Sequence, residues 1–437
     1  MKKVLIITYY WPPSGGAGVQ RWLKLSKYFP ESDWQPIIYT PENPEYPAID
    51  EHLIKDVHPD ISVVKTPIWE PYALYKKFTS KKKDAKLGAG FTTEKGEIGK
   101  AEKMARWVRG NMFIPDARKF WIKPSVKFLT NYLKENPVDA IISTGPPHSM
   151  HLIALGVKKK LNIPWIADFR DPWTNIDFIE ELRLTDKSMA KHHRQETEVL
   201  TNADVVSTAW YLMKTEFSEK IESDKIKVIL NGFDKADFSS EKVDLDRKFT
   251  IAHLGSFSPT RNVPLLWEVL GELVKENPEF SSDLEIKVAG QVDGSVRNDI
   301  DKNGLTTHLK DAGYVSHGEV VKFMSSSQVL LLVVNQTKVA KGIIPGKVFE
   351  YLMSSRPILA IGPRDGDIAK LLVEVNADPI IEYDEKTDMK SRVLASYEAY
   401  KKGTLHSQYK GLEKYDRRAL SLEFISILND LNERSLA

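Results

Sequence analysis

At 437 residues the chain exceeds the ~100–200 of a usual domain and is first read as two domains. Its 42% hydrophobic and 28% charged residues are those of a globular chain with apolar material for two cores. A net charge of +2 excludes a protein that wraps nucleic acid over its whole surface, and the absence of cysteine excludes disulfides, thiolate nucleophiles, iron–sulfur clusters and Cys-ligated zinc.

Lys2-Lys3 followed by Val4–Tyr10 has the outline of a secretory signal, but the apolar run is short and stops at Trp11-Pro12-Pro13, so it reads as a buried first strand. No apolar run reaches the ~18–20 residues of a membrane span. Short β-branched runs then alternate with longer helical patterns. In the first half they are Val4–Thr8, Pro36–Tyr39, Ile61–Val64, Ala140–Ser143, Trp165–Ala167 and Val205–Ser207. In the second they are Thr250–Leu254, Leu284–Ala289, Val329–Val334 and Pro357–Ile361. Runs that are apolar throughout suit strands buried on both faces, and helices between them imply parallel sheets, so the expectation is two doubly wound α/β domains. The polar stretch 235–247 is the expected linker, between a first domain over 1–234 and a second over 248–410. An apolar stripe at Leu420, Leu422, Ile425, Ile427, Leu428 and Leu431 predicts a closing helix within 411–437, which can return to the first domain.

Between 76 and 123 there are fourteen Lys/Arg against five Asp/Glu. Within this basic insert, Ser80–Gly99, with Lys81-Lys82-Lys83, reads as a loop. Met104, Trp107, Val108 and Met112 then fall at i, i+3, i+4, i+8, interleaved with Lys103, Arg106 and Arg109 and followed by Phe113, Phe120 and Trp121. Such a basic amphipathic helix fits an anionic membrane surface; the competing reading packs the aromatics on the first domain.

Three segments carry chemistry. Gly15, Gly16 and Gly18, between the first strand and a helix with Trp22 and Leu25, let backbone N–H groups approach a phosphate, though their spacing is not the dinucleotide fingerprint and no acidic residue ends the second strand. Hydride transfer is thereby disfavoured. Ser143–His151 and Ile166–Trp173 each follow a strand, where open α/β sheets place ligands, and bring His148, His151, Asp168, Arg170 and Asp171. An Arg170–Asp171 pair pinning a loop is as good a reading as catalysis, and His148 with His151 lack the further ligands of a zinc site. In Lys341–Pro357, Pro345 and Gly346 open a helix, Lys347 sits in its first turn and Glu350 lies at i+3, a combination suited to the phosphates and ribose of a nucleotide or, alternatively, to a simple ion pair. His192-His193, within the charged Lys191–Leu200 run, reads as a solvated face.

These residues, with Val228–Asp234, His253-Leu254-Gly255-Ser256, Ile286–Gly290 and Gly313-Tyr314-Val315, resemble the large retaining glycosyltransferase group 1, or family 4, over nearly the whole chain. The resemblance implies a GT-B fold of two Rossmann-like domains facing each other across an interdomain cleft. It further implies transfer of a sugar, with retention, from a nucleotide-diphosphate donor to a lipid-linked or glycan acceptor in cell-surface polysaccharide synthesis. Glu350 matches the second Glu of the family's Glu–seven residues–Glu motif, on the donor ribose; the first would fall at Gly342, a departure that leaves the sugar open. Arg261 falls near the basic residue of the donor diphosphate, while Ser256 replaces the usual Arg. Gly15, Gly16, Ile344, Pro345, Gly346 and Lys347 complete the expected donor site; His148, Arg170 and Asp171 are the expected catalytic or acceptor-side residues. No cofactor, metal or nucleic-acid partner is expected, and the enzyme is expected in the cytoplasm or peripheral on the inner face of the membrane. An epimerase or hydrolase of the same architecture, or a binding protein that has lost activity, remain as other readings.

Overall fold

The computed structural model describes residues 1–46, 48–71, 100–176, 179–238, 243–313, 315 and 317–436. The expected loop at Ser80–Gly99, part of the expected linker and Tyr314 lie outside them. The described residues form two compact units, one from 1–231 with 417–436, the other from 232–416.

The first unit is a seven-stranded parallel sheet in the order β3-β2-β1-β4-β5-β6-β7. Its strands are β1 (Lys2–Ile7), β2 (Trp34–Pro41), β3 (Ser62–Thr66), β4 (Ala140–Gly145), β5 (Trp165–Phe169), β6 (Val205–Thr208) and β7 (Ile226–Val228). The helices are α1 (Ala17–Ser26), α2 (Lys100–Met112), α3 (Lys119–Glu135), α4 (Ser149–Leu161), α5 (Asp186–Asn202) and α6 (Tyr211–Ser218). Alternate residues of one strand feed two cores. Leu5 and Ile7 join Trp121, Leu129 and Met150 on one face; Val4 and Ile6 join Trp22, Leu23 and Phe29 on the other. The last helix of the chain, Arg417–Leu436, completes this second face with Leu420, Phe424, Ile425 and Leu428, while Leu422 points to solvent.

The second unit is a five-stranded parallel sheet, β10-β9-β8-β11-β12. It comprises β8 (Phe249–Leu254), β9 (Leu284–Ala289), β10 (Leu309–Asp311), β11 (Val329–Val333) and β12 (Ile358–Ile361), with α7 (Pro264–Glu276), α8 (Pro278–Asp283), α9 (Gly294–Lys302), α10 (His317–Ser326), α11 (Lys347–Met353), α12 (Asp367–Glu374) and α13 (Lys386–Lys401); the closing helix is therefore α14. Ile251, Val288 and Leu331 pack on Leu266, Trp267, Phe280 and Tyr397. In each sheet the strand order reverses once, beside β1 and β4 in the first and beside β8 and β11 in the second. Side chains beyond the carboxyl ends of those strands are placed to meet ligands.

Candidate functional site

In the first unit the loops after β1, β4 and β5 surround a cavity of about 410 Å³, whose lining includes Tyr10, Gly15, Gly16, His148, Arg170 and Asp171. Gly16 sits at φ +84°, a conformation that favours glycine, at the start of α1. The Gly15 N–H is already used on the Ala48 carbonyl, at 2.9 Å. The Arg170 guanidinium donates to the Gly18 carbonyl (2.8 Å) and the Pro146 carbonyl (3.1 Å), with Asp171 at 3.5 Å. It thus ties the first turn of α1 to the loop after β4. His148 is buried and its ring stacks flat on Trp173, centroids 4.6 Å apart. Burial, then the neighbouring His151, push His148 well below the usual imidazole range, so it is neutral at pH 7.

Asp168, a charge at the end of an apolar strand, is wholly buried and fully partnered. It accepts from Arg21 Nε and Nη2 (3.1 and 2.9 Å), Trp22 Nε1 (2.8 Å), Thr144 Oγ1 (3.0 Å) and Ser207 Oγ (2.8 Å). Burial, the largest single cause, would raise its pKa, but Arg21 together with the hydrogen bonds from Trp22 and Ser207 outweighs it and holds the carboxyl below its usual value. Arg21 also donates to the carbonyls of Ile229 (2.9 Å) and Leu230 (3.0 Å), pinning α1 to the end of the first unit.

The solvated face expected at His192-His193 is half wrong. His193 is exposed, but His192 is buried, and Ser188, Glu196, Val199 and Leu200 share its side of α5. The stripe has helical spacing, yet Ser, His and Glu hold three of its positions, so counting apolar residues does not find it. Glu196 takes the Thr174 N–H and hydroxyl at 3.1 Å and pairs with Lys220, and Trp173 Nε1 donates to His192 Nδ1 at 3.0 Å. His192 joins the lining of the cavity.

On α2 the apolar stripe faces outward: Met104, Trp107 and Met112 are exposed, as are Trp69 and Phe120, with Lys119 Nζ over the Phe120 ring. The opposite side is the packed one. Arg106 bonds Glu181 at 2.9 Å, and a Cβ on Gly110 would lie 2.7 Å from Leu184.

In the second unit Arg261, Lys347 and Glu350 are brought together at the ends of β8 and β11. Lys347 Nζ donates to the Leu254 carbonyl (2.6 Å) and to His253 Nε2 (3.2 Å). His253 Nδ1 meets the Leu331 carbonyl at 3.1 Å, so Nδ1 carries the proton and Nε2 accepts. Sequence reasoning missed this histidine as a support; its place one residue before the end of β8 was the available signal. Burial, then the Arg261 cation, push Lys347 well below its usual value, with Glu350 acting in the other direction. Arg261 donates to Asn335 Oδ1 (2.6 Å) and the Ser256 carbonyl (2.7 Å). Ile344 and Pro345 are buried beside the start of α11; Gly346 is exposed. Two crowded cations of this kind are relieved by an anion, and the adjacent carboxylate can accept hydroxyl protons. Among the described residues no group of three or more His, Asp or Glu is arranged to hold a metal ion.

Two Rossmann-like units built on parallel sheets of seven and five strands are the GT-B fold that the sequence resemblance implies. Solved structures match along the whole chain. Sucrose-phosphate synthase from Thermosynechococcus elongatus has a TM-score of 0.64 at 11% identity, covering 99% of both chains. A mutant of S. aureus TarM in complex with fondaparinux, alpha-GlcNAc-glycerol and UDP has a TM-score of 0.57 at 13% identity, covering 98% of this chain and 100% of that one. A protein described as a putative UDP-N-acetylglucosamine 2-epimerase, from Listeria monocytogenes, has a TM-score of 0.58 at 10% identity, covering 99% and 98%. No family model and no curated protein matches the sequence. At these identities the likeness is one of fold.

Proposed function

We propose that the chain is a retaining glycosyltransferase that moves a sugar from a nucleotide-diphosphate donor to a lipid-linked or glycan acceptor, in cell-surface polysaccharide synthesis. The observation that carries this reading is the grouping of Arg261, Lys347 and Glu350 where the second sheet reverses its strand order. Arg261 and Lys347 would stabilise the diphosphate as it leaves, and Glu350 would accept the ribose hydroxyls. Fixed cations of this kind support a metal-independent reaction. The Gly15 N–H is held by the Ala48 carbonyl and so is not left for a phosphate, while His148, Arg170 and Asp171 would serve the acceptor. For Arg170 that service is positioning, because its guanidinium is committed to two backbone carbonyls.

Exposed Met104, Trp107 and Met112 on a basic helix support attachment to an anionic inner membrane surface, which would suit a lipid-linked acceptor. No helix among the described residues is long and apolar enough to cross a membrane. The epimerase reading has its support in the Listeria protein of the same fold; the reading as an inactive binder has it in Gly342 where the motif has Glu.

Product analysis with labelled nucleotide sugars and membrane extract separates the three, and transfer that survives EDTA is expected. Glu350→Gln should weaken binding of a nucleotide diphosphate roughly tenfold to a hundredfold, the worth of a charge-assisted hydrogen bond, and a dideoxy-nucleotide should bind both proteins equally. If ribo- and dideoxy-nucleotides bind wild type alike, the donor site is misassigned. Flotation on anionic vesicles at low salt tests the membrane contact, and no binding there ends that part.

A further inference from the structure

Lys347 and Tyr351, one turn apart on α11, both hold the end of β8. Lys347 Nζ donates to the Leu254 carbonyl, and the Leu254 N–H donates to the Tyr351 hydroxyl at 3.1 Å. The tyrosine docks the helix with an uncharged group. The lysine brings a charge to the same place, where burial and then the Arg261 cation oppose it more than Glu350 favours it. A charge drawn out of water without a partner of opposite sign is destabilising, so a native fold keeps one chiefly where something else uses it.

Both hydrogen bonds of Lys347 go to uncharged acceptors, the Leu254 carbonyl and His253 Nε2. His253 is fixed for that task. It is 2% exposed, its ring lies on that of Phe257 with centroids 4.0 Å apart, and its Nδ1–H is committed to the Leu331 carbonyl of β11. Burial, then the Lys347 and Arg261 cations, hold the ring well below the usual imidazole range against the Leu331 and Ser256 carbonyls, so it is uncharged at pH 7. An uncharged acceptor orients an ammonium without neutralising it; a carboxylate in the same place would do both.

An ammonium has three hydrogens, and the third has no acceptor among the described residues. The space beside Nζ is clear. Gly255, at φ +93°, carries no side chain, and a Cβ there would stand 3.8 Å from Nζ with nothing else of the described residues, its chain neighbours aside, within 4 Å. An oxygen of a ligand fits that space.

We propose that His253 is a positioning residue for the donor: with the Leu254 carbonyl it holds the Lys347 ammonium so that the remaining hydrogen meets the donor's diphosphate. The inference rests on the donor-site reading and deepens it, because it assigns to a buried imidazole that touches no substrate the aim of the cation that does.

The test uses the full-length protein and calorimetric titration with uridine, guanosine, adenosine and thymidine diphosphates. His253→Phe keeps the ring and removes the acceptor, and should weaken the best-bound diphosphate at least about fivefold. In a Lys347→Met background the same replacement should cost less than about twofold, because no ammonium is left to aim. His253→Gln, whose amide oxygen reaches towards the place of Nε2, should lose less than His253→Phe. A ring that only supports the fold would cost the same with and without Lys347. Equal losses in the two backgrounds, or a Gln variant no better than the Phe variant, would each overturn the proposal. Nitrogen-labelled histidine reads the same point on wild type: His253 should show the Nδ1–H tautomer, and its Nε2 resonance should move when the diphosphate is added. An Nε2–H tautomer, or a resonance that stays in place as the diphosphate binds, overturns the proposal even if no variant folds. If none of the four diphosphates binds wild type, the donor-site reading falls and this inference falls with it; binding without coupling between His253 and Lys347 removes this inference alone.

Discussion

Replacing Asp168 by Asn keeps the shape of the side chain and removes its charge. Arg21, 1% exposed, would then hold a buried positive charge against neutral oxygens alone: the carbonyls of Ile229 and Leu230, Asn231 Oδ1 at 3.2 Å, and the new amide. The amide NH₂ would also face N–H donors, since both Arg21 and Trp22 point at the present carboxylate. At an effective dielectric of about 20, unit charges some 4 Å apart attract by about 4 kcal/mol, and removing one partner of a buried pair costs about 3–5 kcal/mol. Against a total stability of about 5–15 kcal/mol the first unit should be severely weakened. Urea unfolding followed by the fluorescence of Trp22, which sits in the network, should show a midpoint lower by about 1 M or more, given slopes of about 1–3 kcal/mol per molar. The pair also sets an acid limit. Because the folded carboxyl is held below its usual value, its contribution is present above the unfolded pKa near 3.8 and is lost as pH falls through the folded one; the Asn variant should lack that step. Replacing both partners, Arg21→Met with Asp168→Leu, should recover much of the loss. A single-variant loss below about 1 kcal/mol, the value of an exposed pair, would refute the argument.

Gly145→Ala would place a Cβ 2.6 Å from His151 Nε2 and 2.9 Å from His148 Nδ1, so thermal unfolding should report the ~1–3 kcal/mol of an overpacked core. Phe424→Ala empties a wholly buried position whose ring lies 5.0 Å from that of Trp22; a loss of about 3–5 kcal/mol in urea unfolding is expected, and a loss under 1 would mean that α14 packs loosely. His151, held down to about 3 by burial, and His192, down to about 4, stay neutral in the folded chain while their unfolded counterparts protonate below about 6.5. Stability should therefore fall with acid between pH 6.5 and 4, by up to about 1.4 kcal/mol per pH unit for each, and His192→Phe should flatten the slope. Lys347→Met removes a cation beside His253 and one from the proposed diphosphate site; nucleotide-diphosphate affinity should drop, and the His253 imidazole should rise only part of the way to its usual pKa, because burial is the larger cause.

Of the twelve strands among the described residues ten are legible in the sequence, nine of them because they are apolar runs largely buried along their length, and the exposed edge strand β3 because of its β-branched Val63-Val64 pair. The two that are not, β7 and β10, have three residues each and lie at sheet edges, where exposed positions such as Lys227 and Lys310 break the apolar pattern. Their positions are set by neighbouring strands, so no local signal announces them. The site divides in a similar way. Glu350, Lys347 and Arg261 could be named because glycine, proline and charge follow strand ends, and the fold brings all three to one place. The burial of His192 is not legible, because it depends on Trp173, nineteen positions earlier, whose indole N–H its Nδ1 accepts. Asp168 is legible as a charge at the end of an apolar run, costly unless paired or functional; that it is paired, with a partner 147 positions earlier in α1, is not. At Asp168 the sequence exposes the energetic problem, a polar group where water is excluded, and only the tertiary structure supplies the answer; at His192, which reads as part of a solvated face, the problem itself emerges only in the fold. At Asp168 that answer is complete, with a partner for each carboxylate oxygen. At His192 it comes from Trp173 on Nδ1, a contact set by the loop after β5 and by no pattern within α5.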